Sequence, residues 1–280
     1  ANVAWDLGIS SLGPVLNTFS VIPLGSLTGG PNSSISGHSS GGGSGATVYE
    51  IGGLNTSTTF QGNIIDGRTD LNPISTTSIV KVGTGTLTLT DPVDVNDVNG
   101  LAPEPVYTGF TKILGGTLSI QTPYLADGSD VYIASGAVFD LNTGVGTIDV
   151  IDSLILNNVP MAPGTYGAPG SGASFTSTFF SGTGQLQVTT LGVAPVAGDF
   201  DGNGTVQAAD LAVLQQSFGY SRGGDLDQDG DTDGNDFVLW QRLGVSPTLA
   251  AGGAVPEPAA GLLAALVLPA LAAARRRRLA

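Results

Sequence analysis

Strict alternation of apolar and polar residues dominates the first two thirds of the chain. Thr86-Leu87-Thr88-Leu89-Thr90 alternates cleanly, and Gly116-Thr117-Leu118-Ser119-Ile120-Gln121 repeats the pattern. A period of two suits a strand with one buried face, because successive side chains point to opposite sides of a sheet. Further alternating runs lie at 130–133, 137–141, 147–156 and 185–189, each bounded by Gly, Asn, Asp or Pro, which form turns readily. Residues 1–190 are therefore expected to be all-β, with short strands at a fairly even pitch. The pattern alone fits a sandwich or a β-solenoid.

The periodicity changes towards the C-terminus. Leu211, Leu214 and Phe218 recur at helical spacing, as do Phe237, Trp240 and Leu243, so two short amphipathic helices are expected. Beyond Gly252-Gly253-Ala254 an uncharged apolar run covers 259–274 and is followed by Arg275, Arg276, Arg277 and Arg278. A spanning helix needs about 20 apolar residues, and snorkelling arginines make up part of the difference. A C-terminal transmembrane helix is expected, with the arginine cluster on the cytoplasmic side of an inner membrane. The alternative, an apolar core helix, is opposed by Pro269 and by the four arginines. The chain divides into a β-domain (1–190), a linker (191–197), a helical module (198–245), a second linker (246–254) and a tail (255–280).

Each amphipathic segment follows a twelve-residue loop rich in oxygen side chains. The first loop carries Asp199, Asp201, Asn203, Gln207 and Asp210 at positions 1, 3, 5, 9 and 12; the second carries Asp225, Asp227, Asp229, Asp233 and Asp236 at the same positions. Gly204 and Gly230 stand at position 6, where the backbone turns sharply, and Thr205 and Asp231 at position 7 can offer a carbonyl. A hard cation with six to eight oxygen ligands is what such spacing serves, so two calcium ions are expected. An acidic disordered linker and a helix-free calcium repeat share part of this pattern and are the alternatives, and the amphipathic segment after each loop favours the loop-and-helix reading. Loop two has six aspartates whose repulsion a bound cation would remove.

Composition narrows the partners. The chain has 280 residues, 43 glycines, no cysteine and a formal charge of −14, so neither disulfides nor thiolate metal sites hold the fold. That charge disfavours nucleic acid as a partner and favours a divalent cation. The stretch 31–45, rich in Gly and Ser, reads as a flexible insertion, and His38 within it as a solvated loop residue. No nucleophile elbow, P-loop, dinucleotide fingerprint or zinc motif occurs. Asp140, Asp149 and Asp152 are candidates for a glycosidase pair, with turn and strand-edge roles as the alternative. The chain starts at Ala1 without a basic n-region or a hydrophobic signal core, and is read as a fragment or a processed N-terminus.

Three resemblances give these features a frame. The run Lys81-Val82-Gly83-Thr84-Gly85-Thr86-Leu87-Thr88-Leu89, with Tyr107-Thr108-Gly109-Phe110-Thr111 and Leu114-Gly115-Gly116-Thr117-Leu118-Ser119-Ile120, resembles the autotransporter-associated β-strand repeat. The resemblance implies rungs of a right-handed parallel β-helix, with weaker echoes at 49–62 and 182–188 and an inserted segment at 91–105. The paired loop-and-helix units resemble the type I dockerin, which implies that the loop residues named above ligate two calcium ions, Thr205 and Asp231 through their carbonyls. It also implies a cohesin-like partner read by positions 10 and 11, which here hold Ala208 and Ala209, and Gly234 and Asn235, in place of the Ser-Thr pair of well-known examples.

Pro256-Glu257-Pro258, the apolar run and the arginine cluster resemble the PEP-CTERM sorting signal of Gram-negative bacteria. That resemblance implies processing by an exosortase, transient anchoring in the inner membrane through 259–274, and delivery to the cell surface or extracellular matrix. The expected function is non-enzymatic: adhesion, matrix structure or docking. The alternative is a polysaccharide-acting enzyme or carbohydrate-binding component docked through the dockerin-like unit.

Overall fold

The computed structural model describes residues 20–31, 33–37, 46–67, 76–90, 107–194, 196–200, 205–219, 223–227, 229 and 231–243. The expected membrane helix at 259–274, the sorting residues Pro256, Glu257, Pro258 and Arg275 to Arg278, and His38 lie outside the described residues. Among the described residues no helix is long and apolar enough to cross a membrane, so the expected C-terminal span gains no support. The described residues all lie in the first of two units, residues 1–243.

The first unit is mainly β. The chain passes through β1 (Ser20–Leu24), β2 (Ser34–Ser36), β3 (Thr47–Ile51), β4 (Thr58–Phe60), β5 (Asn63–Ile65), β6 (Thr77–Lys81), β7 (Thr86–Leu89), β8 (Thr111–Ile113), β9 (Thr117–Ile120), β10 (Asp130–Ile133) and β11 (Val138–Leu141). It continues through β12 (Ile148–Ile151), β13 (Ser153–Leu156), β14 (Val159–Pro160), β15 (Gly164–Gly167), β16 (Phe175–Thr176), β17 (Phe180–Gly182) and β18 (Gln185–Val188), and ends in two helices, α1 (Ala208–Ser217) and α2 (Gly234–Arg242).

Two parallel sheets organise the strands. The first has the order β1-β3-β6-β8-β10-β13-β14, parallel throughout except for the final β13–β14 pair, and the second runs β17-β11-β9-β7-β4, all parallel. From β6 to β11 successive strands alternate between these sheets. A smaller sheet, β12-β18-β15-β16, contains the antiparallel β15–β18 pair, and β2 pairs with β5. The expected inserted segment 91–105 lies outside the described residues; on either side of it Ile79 pairs with Thr111 and Leu87 with Leu118.

This topology turns alternation in the sequence into continuous apolar columns. Leu87, Leu118, Phe139 and Phe180 are register partners along the second sheet, as are Phe60, Leu89, Ile120 and Leu141, and all eight are buried. In the first sheet Tyr49, Ile79, Thr111, Val131 and Leu154 form one inward column. Full burial of each such Leu, Ile or Phe contributes about 1.5–3 kcal/mol, so the columns provide the main cohesion of a chain without cross-links. The run 147–156, expected as one strand, divides at Asp152. There the backbone N–H donates to Ser129 O at 2.9 Å and the carbonyl accepts from Thr190 N at 2.9 Å, so β12 joins β18 while β13 joins β10.

Turns between the sheets stack as tightly as the strands. Gly83 (φ +69°) and Gly116 (φ +61°) occupy left-handed conformations, and a Cβ on either would collide with a backbone carbonyl of the neighbouring turn. Only glycine meets both demands. At the same corner Lys81 occupies an otherwise apolar column between its partners Ile51 and Ile113 and is 1% exposed. Its ammonium donates to the carbonyls of Val82 (2.6 Å), Gly83 (3.2 Å) and Gly115 (3.1 Å), which ties the turn after β6 to the turn after β8. Burial pushes its pKa down to about 8.

A second ionisable group lies inside. Asp149 on β12 is 2% exposed, and one carboxylate oxygen accepts from Tyr124 N at 2.9 Å and Leu125 N at 3.2 Å, anchoring the bend before β10. Burial pushes its carboxyl up to about 6, reinforced by Asp127 and opposed by hydrogen bonds from the backbone N–H groups of Tyr124, Leu125 and Val150.

Two outcomes follow from these buried charges. Lys81→Met leaves three carbonyls without their donor and lowers unfolding stability by about 2–3 kcal/mol in denaturant titration. For Asp149 the folded chain binds the proton more tightly than the unfolded chain, so stability is lost as pH rises from about 4 to about 6. The loss amounts to about 3 kcal/mol, and Asp149→Asn, which keeps an acceptor for the N–H groups of Tyr124 and Leu125 but not for that of Val150, lacks that slope. Denaturation midpoints of the two proteins across pH 4–7 give the comparison.

Candidate metal centre

The two helices are positioned by their acidic loops. Helix α1 begins after Gln207 and α2 after Asp233, both in extended conformation. The third residue of each helix is the position-12 aspartate of its loop, Asp210 or Asp236, and both are fully buried. Asp210 accepts from Phe200 N at 2.8 Å on one oxygen and from Gln207 N at 2.7 Å on the other. Asp236 does the same with Leu226 N and Asp233 N, both at 2.7 Å, and adds Asp227 N at 3.1 Å. Each carboxylate thus closes its loop and satisfies backbone donors at its helix start, where the helix dipole also favours negative charge.

The loops pack into one small unit. Val213, Leu214 and Trp240 are buried, and the Trp240 indole N–H donates to Gly198 O at 3.2 Å, which fixes α2 against the start of loop one. Thr232 connects the halves from the other side: its carbonyl accepts from Gly219 N at 2.8 Å and its hydroxyl oxygen from Gly224 N at 3.1 Å. The expected apolar stripes are corrected at their ends. Phe218 is 51% exposed and Leu243 46%, and Ser217 is the buried residue that closes α1. The chain leaves helical geometry at Phe218 (ψ 118°), so that ring turns outward while Gly223 packs on Ser217.

Loop two gathers its carboxylates. One oxygen from each of Asp225, Asp227 and Asp229 lies within 4.8 Å of the others, and Asp231, Asp233 and Asp236 form a second group of the same tightness. Its turns are held by Asp229 N donating to Asp227 at 3.2 Å and Asp231 N donating to Asp229 at 3.3 Å. Asp227 has its pKa raised, first by desolvation and then by the charges of Asp229, Asp236 and Asp233, while a bond from Asp229 N–H opposes the rise. Six crowded carboxylates with no soft donor among them suit a hard divalent cation. Asp231 brings its side chain to the second group, where spacing alone suggested only its carbonyl.

In loop one Asp199 is half-buried, Thr205 and Gln207 are exposed and Asp210 is buried, whereas Asp201 and Asn203 lie outside the described residues. Ala208, Ala209, Gly234 and Asn235 are all exposed on the first helical turns. Lys112 on β8, which sequence reasoning passed over, has its ammonium 4.6 Å from the Phe110 ring centre. Desolvation lowers its pKa and the charge of Asp199 opposes that shift.

The proposed glycosidase carboxylates occupy separate environments. Asp140 accepts from the hydroxyls of Ser119 and Ser181, each at 2.7 Å, on the outward side of the second sheet. Asp149 is the buried anchor of the 121–125 bend, and Asp152 accepts from Thr189 at 3.3 Å. Each has a structural partner.

The dual role of position 12 separates two kinds of variant. In metal-free protein Asp236→Ala strips three backbone N–H groups of their acceptor and lowers the module's stability by about 2–4 kcal/mol, seen as lost far-ultraviolet helicity. Asp229→Ala, at an exposed position, changes metal-free helicity little and weakens cation binding. No protein-family model, curated protein or solved structure matches the chain, so its two loops are identified by their own chemistry alone.

Proposed function

We propose that this chain is a non-enzymatic exported surface or extracellular-matrix protein, in which a right-handed parallel β-helix carries a calcium-stabilised, dockerin-like interaction module and a C-terminal sorting tail. The observation that carries the reading is the equivalent bonding of Asp210 and Asp236, each tying positions 2 and 9 of its loop to the first turn of its helix. Two copies of one loop-and-helix device with hard oxygen donors are what a paired calcium module requires.

The ligand set is Asp199, Asp201, Asn203, Thr205, Gln207 and Asp210 for one ion, and Asp225, Asp227, Asp229, Asp231, Asp233 and Asp236 for the other. A bound cation supplies positive charge that offsets their repulsion. The chain's own part is to hold the carboxylates and cap the helices, and no bond-breaking step is involved. The β-helix reading is supported by the alternation of successive strands between two parallel sheets, since such crossovers are right-handed in nearly every case. Along the outward side of the second sheet, Thr59, Thr88, Ser119, Asp140 and Ser181 are register partners in a row of short polar side chains, in which Ser119 is buried and both serine hydroxyls donate to Asp140. Export, exosortase processing and surface delivery rest on the resemblance of Pro256, Glu257, Pro258 and Arg275 to Arg278 to a sorting signal.

Calorimetric titration of calcium into the full chain, with helicity followed in parallel, tests the reading. Two binding events with a gain in helix are expected, and at free calcium 100 times the dissociation constant each site adds about 2.7 kcal/mol of stability. Absence of both heat and helical gain overturns the calcium module.

A further inference from the structure

Strands β3 and β6 are buried at every position, whereas β7 and β11 bury only alternate residues. One face of β3 and β6 looks into the core. The other carries Val48, Val80 and, just beyond β6, Val82, which are 3%, 9% and 2% exposed and cluster apart from the core with Val21, Phe110 and Leu114. A parallel sheet buried on both faces needs a second layer over it.

Part of that layer comes from the acidic module. Helix α1 packs against β1, and a side-chain carbon placed on Gly223, just before loop two, would lie 3.4 Å from Val21 Cγ2. The linker approaches along the same side of the sheet, with Gly192 against Ser153 and Ile155 of β13. Lys112, outward on β8 between its register partners Val80 and Tyr132, places a cation where the charge of Asp199 reaches it. Apolar contact and charge therefore point to the same occupant.

We propose that the outward face of the first sheet around Val21, Val48 and Val80 is the seat of the metal-loop module, so that cation binding stabilises β3 and β6 and docking in turn tightens the loops' hold on the ion. The inference rests on the calcium reading above. Only a folded α1 presents a packed surface to β1, and the third residue of α1, whose carboxylate closes the first turn, is Asp210, the residue proposed above as a ligand of loop one. An ion that relieves repulsion in the loops populates the folded helices, and the folded helices shield the sheet. Linkage makes the effect reciprocal.

Hydrogen exchange of the full chain, in chelator and in saturating calcium with calorimetry alongside, reads the coupling. Calcium slows exchange in both helices and in the amides of 48–51 and 78–81, by on the order of ten- to a hundredfold when free ion is 100 times the dissociation constant. Val21→Asp, which sets a carboxylate against the acidic module at a half-buried position, abolishes the slowing in β3 and β6 and weakens calcium binding. Val21→Lys burdens β1 equally but with the attracting charge, and retains both. Two calcium events that protect the helices yet leave β3 and β6 unchanged overturn the coupling while the calcium module stands. Absence of any calcium binding overturns both. Equal loss in Val21→Asp and Val21→Lys, or full slowing in Val21→Asp, overturns the assignment of this face.

Discussion

In-register stacking of parallel strands is the constraint on which the rest of the molecule depends. Each inward side chain sits beside its register partner on the neighbouring strand, so Leu87 defines the space for Leu118 and Leu118 the space for Phe139. Cohesion then comes from columns continuous along the sheets. Turns inherit the same demand, because stacked strands bring stacked corners, and the glycines at 83 and 116 let those corners approach to backbone contact. Polar groups drawn inside are admitted only where the stacked backbone offers them partners: Lys81 finds three carbonyls, and Asp149 finds the N–H groups of a bend.

The acidic module is built on a different economy. With short helices and few buried side chains, it depends on two carboxylates that act at once as loop closures and helix caps. Asp210 and Asp236 bind backbone N–H groups at both ends of their loops, so loop shape and helix start form together. The remaining aspartates of loop two add like charge whose mutual repulsion opposes folding.

Strands were legible where one face is buried, because period-two alternation at Thr86 to Thr90 and Gly116 to Gln121 is a direct imprint of that burial. The runs at 130–133, 137–141 and 185–189 became β10, β11 and β18 for the same reason. The division of 147–156 was not legible, since Asp152 fits the alternation and only its bonds to Ser129 and Thr190 reveal the bend. Burial of β3 and β6 on both faces was hidden as well, because it depends on what lies over them. In the loops, spacing located the acidic positions, and Asp233 followed three residues later by Asp236 is a capping signature that could have announced their second role. Phe218 and Leu243 misled because helical periodicity says nothing about where a helix stops.

Lys81 also works as an address within the fold. A shift of its strand by one residue would point Val80 inward and turn the lysine out, away from the three carbonyls it now holds. A shift by two would keep it inside but move its ammonium along the column, away from the corner where those carbonyls converge. The apolar partners Ile51 and Ile113 tolerate neighbouring hydrophobic side chains almost interchangeably, so they discriminate weakly among such misalignments. One cation in an oily column does what leucines cannot: it gives each wrong alignment an unsatisfied charge, and so fixes the register of its strand.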